Sequence, residues 1–185
     1  TVRGHTVAVI HETRPIELTH LYLVGDRTSG QVTMIPTFVK GKPNPRGRRY
    51  DADADVPGSR RRSTAVTPRR VEVIETLHHE DMLPAIVFVF SRSGCDEAVR
   101  SCRQAGLRLT SPHERRDIED IVHAHVETLT DHDLAALDFE HFLVSLRNGY
   151  AAHHAGMLPA FKETVEACFV EGLVKAVFAT ETLAV

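Results

Sequence analysis

Short stretches of apolar and β-branched residues alternate with turn-forming residues over the first 39 residues of the chain. Residues 6–10, 16–24 and 31–39 are rich in Val, Ile, Thr, Leu and Tyr, the residue types that favour extended backbone. Turn signals stand between them at Arg14-Pro15 and Gly25-Asp26. The pattern therefore predicts a strand-rich region without a helix.

The apolar spacing changes in the second part of the chain. Val71, Ile74 and Leu77 recur at helical spacing, and the unbroken apolar run of residues 85–90 predicts a strand covered on both faces. Ser93 is the expected cap of the next helix, whose apolar positions share one face and are Cys95, Ala98, Val99 and Cys102. Core packing accounts for both of these cysteines.

Five further elements complete the pattern. Ser111, Pro112 and Glu114 form a strong helix start, with a capping serine, a proline at the first helical position and a glutamate that closes a capping box. The elements expected after this helix are a helix from Asp131 to Gly149, a strand over residues 150–153, a helix from Pro159 to Gly172 and a buried strand over residues 174–179.

This order of strands and helices predicts an α/β fold with a parallel sheet. Function in such folds lies at the carboxyl ends of the strands. Residues 91–94, 153–157 and 180–182 occupy those ends and are rich in hydroxyls, small side chains and backbone amides that could reach a phosphate. The sequence therefore predicts a groove for an extended anion at one sheet edge.

A basic segment interrupts the pattern. The whole chain has 22 basic and 25 acidic side chains, but between Lys40 and Arg70 there are ten basic and three acidic residues, a net +7 that leaves −10 elsewhere. Its prolines and glycines and its shortage of large apolar residues predict that residues 40–68 form a flexible loop. Two interpretations stay open, a solvated linker without a specific partner and an electrostatic contact with a polyanion.

Other candidate sites are weaker. The three cysteines form no CxxC pair, and the 12 histidines include neighbours such as His153 and His154 that point in divergent directions, so we expect no metal site. A buried pair that shapes a loop is the alternative for these two histidines.

No apolar stretch is long enough to cross a membrane, and we expect a cytoplasmic protein without a membrane partner.

Three segments carry a family resemblance. They are AIVFVFSRSGCD, GYAAHHAGMLPAFKETVEACF and GLVKAVFATETLAV, and together they resemble the second RecA-like domain of superfamily 2 helicases, in the DExH branch that includes exosome-associated RNA helicases. The histidine pair followed by Ala-Gly, ahead of FATETLA, is the most specific part. The resemblance implies a RecA-like, P-loop NTPase-type sheet flanked by helices over residues 69–185. Residues 1–39 would be the strand-rich end of the first RecA-like domain and the crossing to the second.

The resemblance also assigns roles to individual residues. It implies contacts with a nucleic-acid backbone for Ser91, Arg92, His154, Gly156, Lys162 and Thr180. It further implies that three residues link the strand site to the nucleotide cleft, namely Glu181, Thr182 and Leu183. Contacts of this kind through hydroxyls and amides carry no sequence information, as an enzyme that moves along a strand requires.

Several motifs of the family are not in these residues. The sequence has no GxxxxGK[ST] phosphate loop, no Asp-Glu-x-His motif and no arginine-rich sixth motif, and it stops inside the fifth motif. We therefore expect a fragment of a longer helicase, with no catalytic residue and no bound ATP or Mg²⁺ of its own. The full-length enzyme would use both, together with its other helicase domains, to unwind nucleic acid, with RNA as the expected substrate.

Two other functions remain open at this point. A non-catalytic nucleic-acid-binding or scaffold module could keep the fold of the second lobe without its catalytic partner. A doubly wound domain that binds a small molecule would need a formed pocket at the strand ends in place of an open groove. The sequence does not assign direction of travel or oligomeric state.

Overall fold

The computed structural model of the chain describes residues 16–50 and 65–180. Contacts between residues divide the chain into two compact units, Thr1–Thr67 and Pro68–Val185. In the described part of the chain, no helix is both long enough and apolar enough to cross a membrane.

The first unit is built from short antiparallel strands. They are β1 (Leu21–Asp26), β2 (Val32–Pro36), β3 (Phe38–Val39), β4 (Lys42–Pro43) and β5 (Ala65–Val66), and a 3-10 turn lies at Gly47–Tyr50. Strand β1 lies between β2 and β5, and β3 pairs with β4. Strands were predicted over residues 16–24 and 31–39, and the structure confirms a strand in each range. The predicted strand over residues 6–10 lies outside the described residues.

The turn between β1 and β2 comes later than predicted. Gly25 and Asp26 belong to β1, and the carboxylate of Asp26 accepts hydrogen bonds from the backbone N–H groups of Thr28 and Ser29, at 2.7 and 3.2 Å. Gly30 closes the turn with a positive φ of 69°. An Asp side chain that bonds to the backbone two residues on favours this kind of turn, which is why the strand can extend to Asp26.

The segment predicted as a basic loop contains some regular structure. Between β3 and β4, Lys40 and Gly41 turn the chain with positive φ angles of 52° and 71°. Lys40, Lys42 and Arg46 are exposed. Strand β5 also lies within the predicted loop and pairs with β1, and residues 51–64 lie outside the described residues.

The second unit is an α/β fold around a parallel sheet. Its elements are α1 (Arg70–His79), β6 (Ala85–Phe88), α2 (Arg92–Gln104), α3 (Pro112–Val126), α4 (Asp131–Ala136), α5 (Phe139–Arg147), β7 (Tyr150–His153), α6 (Pro159–Val170) and β8 (Ala176–Ala179). The strand order is β6-β8-β7, and both pairings are parallel. This confirms the predicted parallel α/β sheet flanked by helices.

Helices pack on both faces of the sheet and form two cores. On one face, α1 and α2 contribute Ile74, Cys95 and Cys102, which pack with Tyr150 and Phe178 of the sheet. The other face is covered by α3, α5 and α6, whose core residues include Ile118, Leu146, Val165 and Cys168. All three cysteines are 0% exposed, which confirms that Cys95 and Cys102 serve core packing.

The prediction that residues 85–90 form a strand covered on both faces is wrong. Strand β6 ends at Phe88 and lies at the edge of the sheet, with Ile86 and Phe88 41% and 53% exposed. On the side of the sheet that α3, α5 and α6 cover, these helices pack over β7 and β8 and not over β6. Strand β8, in the centre, is buried at all four positions, so the expectation of full burial holds there.

Two helix boundaries differ from the prediction. The cap of α2 is Ser91 and not Ser93, because the Ser91 hydroxyl accepts the backbone N–H of Gly94 at 3.1 Å. The single helix predicted between Asp131 and Gly149 is broken into α4 and α5. Asp138 sits at the break in the left-handed conformation, with a φ of 54°, which no continuous helix accommodates.

An ion pair joins the start of α3 to the start of β8, at the amino end of the sheet. Lys175 Nζ lies 2.6 Å from Glu114 Oε1, and the other oxygen of Glu114 accepts the backbone N–H of Ser111 at 2.7 Å. These bonds from Lys175 and then Ser111 hold the pKa of Glu114 at about 2, against an ordinary value of 4.5.

We expect this ion pair to make the free energy of unfolding of the second unit depend on pH. Because the folded-state pKa of Glu114 lies below the unfolded-state value, its contribution is fully present above pH 4.5 and is lost as the pH falls toward 2. Glu114→Gln should lower the free energy of unfolding by about 1 kcal/mol near neutral pH, after solvent screening of a partly exposed pair. Urea unfolding at about pH 7 and about pH 3 measures this difference, which should shrink at the lower pH.

The matched control is Glu171→Gln, which removes an exposed carboxylate just after α6. It should change the free energy of unfolding by less than about 0.5 kcal/mol at either pH. An equal deficit for Glu114→Gln at both pH values would mean that the ion pair does not supply the stability.

Candidate nucleic-acid interface

The three predicted segments at the carboxyl ends of the strands lie along one edge of the sheet. Phe88 and His153, the last residues of β6 and β7, are both paired with Ala179, the last residue of β8. Backbone hydrogen bonds continue the pairing one step further, from Val89 N–H to the Ala179 carbonyl (2.8 Å) and from Thr180 N–H to the His153 carbonyl (3.2 Å). The three strands therefore end at the same level.

The connection from β6 to α2 leaves no space for a side chain at Gly94. A Cβ atom at Gly94 would lie 2.6 Å from Ser91 Oγ and 2.8 Å from Val89 Cγ1, distances that only glycine avoids. The same position is 3.7 Å from Arg70 Nη2, so the guanidinium of α1 lies beside the start of α2. Ser91 and Arg92 are both exposed at this corner of the edge.

Arg70 was not predicted as a site residue, because its charge was counted with the basic segment. The packing of α1 against α2 brings it to this edge, and no local motif marks that packing. A second arginine thus stands near the residues of the β6 to α2 connection.

The two histidines after β7 are buried and bonded to carboxylates of different helices. His153 Nε2 is 2.6 Å from Glu166 Oε1 of α6, and His154 Nε2 is 3.0 Å from Asp96 Oδ1 of α2. The Nδ1 atom of His154 accepts the backbone N–H of Gly156 at 3.2 Å, whereas Nδ1 of His153 is buried without a hydrogen-bond partner. The pair therefore points in divergent directions, as predicted, and ties the loop after β7 to two helices.

Gly156 brings two of the predicted segments into contact. A Cβ atom at this position would lie 3.2 Å from His154 Nδ1 and 3.3 Å from Arg92 Cδ. The stem of Arg92 therefore passes closely over the Gly156 backbone, and both residues are exposed. A larger residue at position 156 would have to displace either the arginine or the histidine.

The remaining predicted residues are less closely joined to this group. Thr180 is partly buried directly after β8, and Lys162 is the fourth residue of α6 and also partly buried. Glu181, Thr182 and Leu183 lie outside the described residues. The structure thus places four of the candidate residues at the strand ends, namely Ser91, Arg92, Gly156 and Thr180. A fifth, His154, is buried.

A cleft of about 430 Å³ opens beside the loop after β7. Gly156 and Met157 line it on one side, and the side from α2 includes Asp96, Arg100 and Arg103. The side from α2 thus carries one acidic and two basic groups, and Arg100 is paired with Glu97.

The cysteine thiols and the potential metal ligands are the other candidate groups among the described residues. Burial raises the pKa of Cys95, and it raises those of Cys102 and Cys168 to about 11, so these thiols are protonated at neutral pH. Among residues 16–50 and 65–180, no three His, Cys, Asp or Glu side chains are grouped so that they could hold a metal ion.

The chain is similar to helicases. No protein-family model matches it. Over its whole length it is 46% identical to "Probable helicase HelY" of Mycobacterium tuberculosis (strain ATCC 25618 / H37Rv) and 44% identical to the protein of that name from Mycobacterium leprae (strain TN). Over 61% of its length it is 34% identical to "Exosome RNA helicase MTR4" of Homo sapiens.

These matches confirm the resemblance of the chain to the DExH-type helicases of superfamily 2 that was described above. The matches to the two HelY proteins extend over the full chain. The chain spans about a fifth of the length of these HelY relatives (22%) and 11% of the human protein.

We expect the three cysteines to resist alkylation in the folded protein, because a thiol must be accessible and ionised to react. Iodoacetamide at about pH 7.5 should leave all three unmodified by mass spectrometry, and the urea-unfolded chain should be modified at all three. Rapid modification of Cys95 in the folded protein would contradict the packing of α2 against the sheet.

Proposed function

We propose that this chain is part of an ATP-dependent superfamily 2 helicase and supplies part of the surface that holds a single nucleic-acid strand. The main support is the arrangement of Ser91, Arg92, Gly156 and Thr180 at one sheet edge in a chain that matches helicases. We propose RNA as the substrate, because one of the matching relatives is named as an exosome RNA helicase.

The chemistry of this edge suits a sugar-phosphate backbone. The Ser91 oxygen accepts the Gly94 N–H, and its own O–H stays available as a donor. Arg92 adds a permanent positive charge with several donors, and the bare Gly156 backbone allows close approach of a phosphate. None of these groups distinguishes one base from another, so binding should not depend on sequence.

The residues of this chain do not by themselves form an ATP site. They include no GxxxxGK[ST] phosphate loop and no Asp-Glu-x-His motif. We propose that ATP and Mg²⁺ are held by other parts of the full-length enzyme, which would work in the cytoplasm. Residues 181–183 would link the held strand to that nucleotide cleft, and the intact protein would step along one strand and displace its complement.

The alternative is a non-catalytic module that binds nucleic acid or serves as a scaffold. The sequence of the gene beyond both ends of this chain discriminates between the two. A phosphate loop upstream and an arginine-rich sixth motif downstream would support the motor, and their loss would support the module.

We expect Arg92→Gln to weaken binding of a single-stranded homopolymer RNA about tenfold and to lower the salt slope of binding by about one. Fluorescence anisotropy of labelled RNA, titrated at several salt concentrations, measures both. Gly156→Val should also weaken binding, because its side chain would displace Arg92 or break the His154 hydrogen bond.

Arg108→Gln is the matched control for charge. Arg108 is exposed near the other end of β7, where the N–H of Leu109 donates to the Asn148 carbonyl. This variant should keep the affinity of the parent protein to within about twofold. If Arg92→Gln and Arg108→Gln bind RNA alike, the proposed strand surface is wrong.

We further expect the 185 residues alone to hydrolyse no ATP, whereas the full-length enzyme hydrolyses ATP in an RNA-stimulated reaction that Thr180→Ala reduces. Phosphate release by both proteins, with and without RNA, is the measurement. ATP turnover by the isolated chain above that of its own Thr180→Ala variant would contradict the proposal.

A further inference from the structure

We propose that Asp96 is a positioning residue for strand binding, which orients the loop at Gly156 by selecting the tautomer of His154. This inference rests on the function proposed above, because it takes the edge that holds Arg92 and Gly156 as the strand-binding surface. Asp96 ends one of the segments that carry the family resemblance, but the resemblance assigns it no role.

The three groups form one continuous chain of hydrogen bonds. Asp96 Oδ1 lies 3.0 Å from Nε2 of His154, and Nδ1 of the same ring accepts the backbone N–H of Gly156 at 3.2 Å. The imidazole is 7% exposed, so its ring nitrogens have protein partners in place of water. Helix α2 is therefore joined through one buried ring to the backbone of the loop after β7.

The direction of these bonds depends on where the ring carries its proton. Nδ1 can accept the Gly156 N–H only when it has no proton, so a neutral ring must carry the proton on Nε2. A carboxylate opposite Nε2 stabilises that tautomer, as an acceptor on one ring nitrogen generally does for the other. Without Asp96, the proton can move to Nδ1, where it would face the N–H of Gly156 donor to donor.

Such a change would be transmitted to the exposed surface of the edge. A Cβ atom at Gly156 would lie 3.2 Å from His154 Nδ1 and 3.3 Å from Arg92 Cδ, so the ring, the loop and the arginine stem are in close contact. A loop released from His154 would move away from the position that Arg92 covers. Asp96 would thus act on the strand through His154, without touching the strand itself.

Other charged groups near the ring do not offer the same bond. Arg92 lies on the Gly156 side, and Arg100 of α2 is paired with Glu97. Glu166 bonds to His153, which points in another direction. Asp96 is the carboxylate that bonds to His154 in the described part of the chain.

The direction in which Asp96→Ala changes RNA affinity separates a positioning role from a purely electrostatic effect. Asp96 is 53% exposed beside a surface proposed to hold a polyanion, so removal of its charge alone should strengthen RNA binding. A positioning role predicts the opposite for Asp96→Ala. In the full-length protein we expect this variant to bind homopolymer RNA about tenfold more weakly, by fluorescence anisotropy.

Asp96→Asn supplies the rescue. The amide oxygen can still accept the proton of His154 Nε2, while the negative charge is gone, so this variant should recover most of the affinity lost in Asp96→Ala. Glu97→Ala is the matched control, because it removes the neighbouring exposed carboxylate of α2, which pairs with Arg100 and not with a histidine. RNA binding by Asp96→Ala that equals or exceeds that of Glu97→Ala would overturn the inference.

Two further measurements test the route through the ring. If Asp96 acts only through His154, the double variant with His154→Ala should lose no more affinity than His154→Ala alone, and additive losses would contradict this route. The ¹⁵N resonances of the His154 side chain should show a protonated Nε2 and an unprotonated Nδ1. Asp96→Ala should shift this ring toward a mixture of tautomers, and an unchanged spectrum would overturn the tautomer selection.

Failure of this inference can be told apart from failure of the proposed function. If Arg92→Gln and Gly156→Val weaken RNA binding but Asp96→Ala does not, the strand surface stands and the positioning role is wrong. If none of the three weakens binding, the proposed strand surface is wrong, and the ¹⁵N spectra still decide whether Asp96 selects the tautomer. Thermal unfolding midpoints of each variant show that the compared proteins are folded.

Discussion

The backbone ladder of β8 is the constraint on which the second unit depends. Because β8 pairs in parallel with β6 on one side and β7 on the other, all three strands must end at one edge. Three connections that are distant in the sequence are thereby held next to each other. The close contact between Arg92 and Gly156 is a consequence of this arrangement, because the two residues are far apart in the sequence.

Burial at the centre of the sheet gives this edge its rigidity. All four residues of β8 are buried between the helices of the two faces, so the strand cannot shift without disturbing both cores. The ion pair of Lys175 and Glu114 stands at the opposite end of the same strand. Stabilising contacts thus lie at the amino end of the sheet, and the exposed polar groups that we propose as the strand surface lie at its carboxyl end.

The histidine pair fixes the loop after β7 through buried side chains. His153 and His154 are buried, and each bonds to a carboxylate of a different helix. The loop between them and α6 is therefore fixed from two directions, while Gly156 stays exposed. Ordering the loop in advance reduces the entropy that would be lost when a strand binds.

Local patterns were enough to predict the class of fold, the family resemblance and the residues at the strand ends, because apolar periodicity, helix start signals and the His-His-Ala-Gly motif can be read from neighbouring residues. It located α3 through Ser111, Pro112 and Glu114, but it did not find the break at Asp138 or the exposed face of β6. Those features depend on which helices reach which part of the sheet. The contact of Asp96 with His154 and the position of Arg70 beside Gly94 became visible only in the folded chain, because both arise from the packing of separate elements.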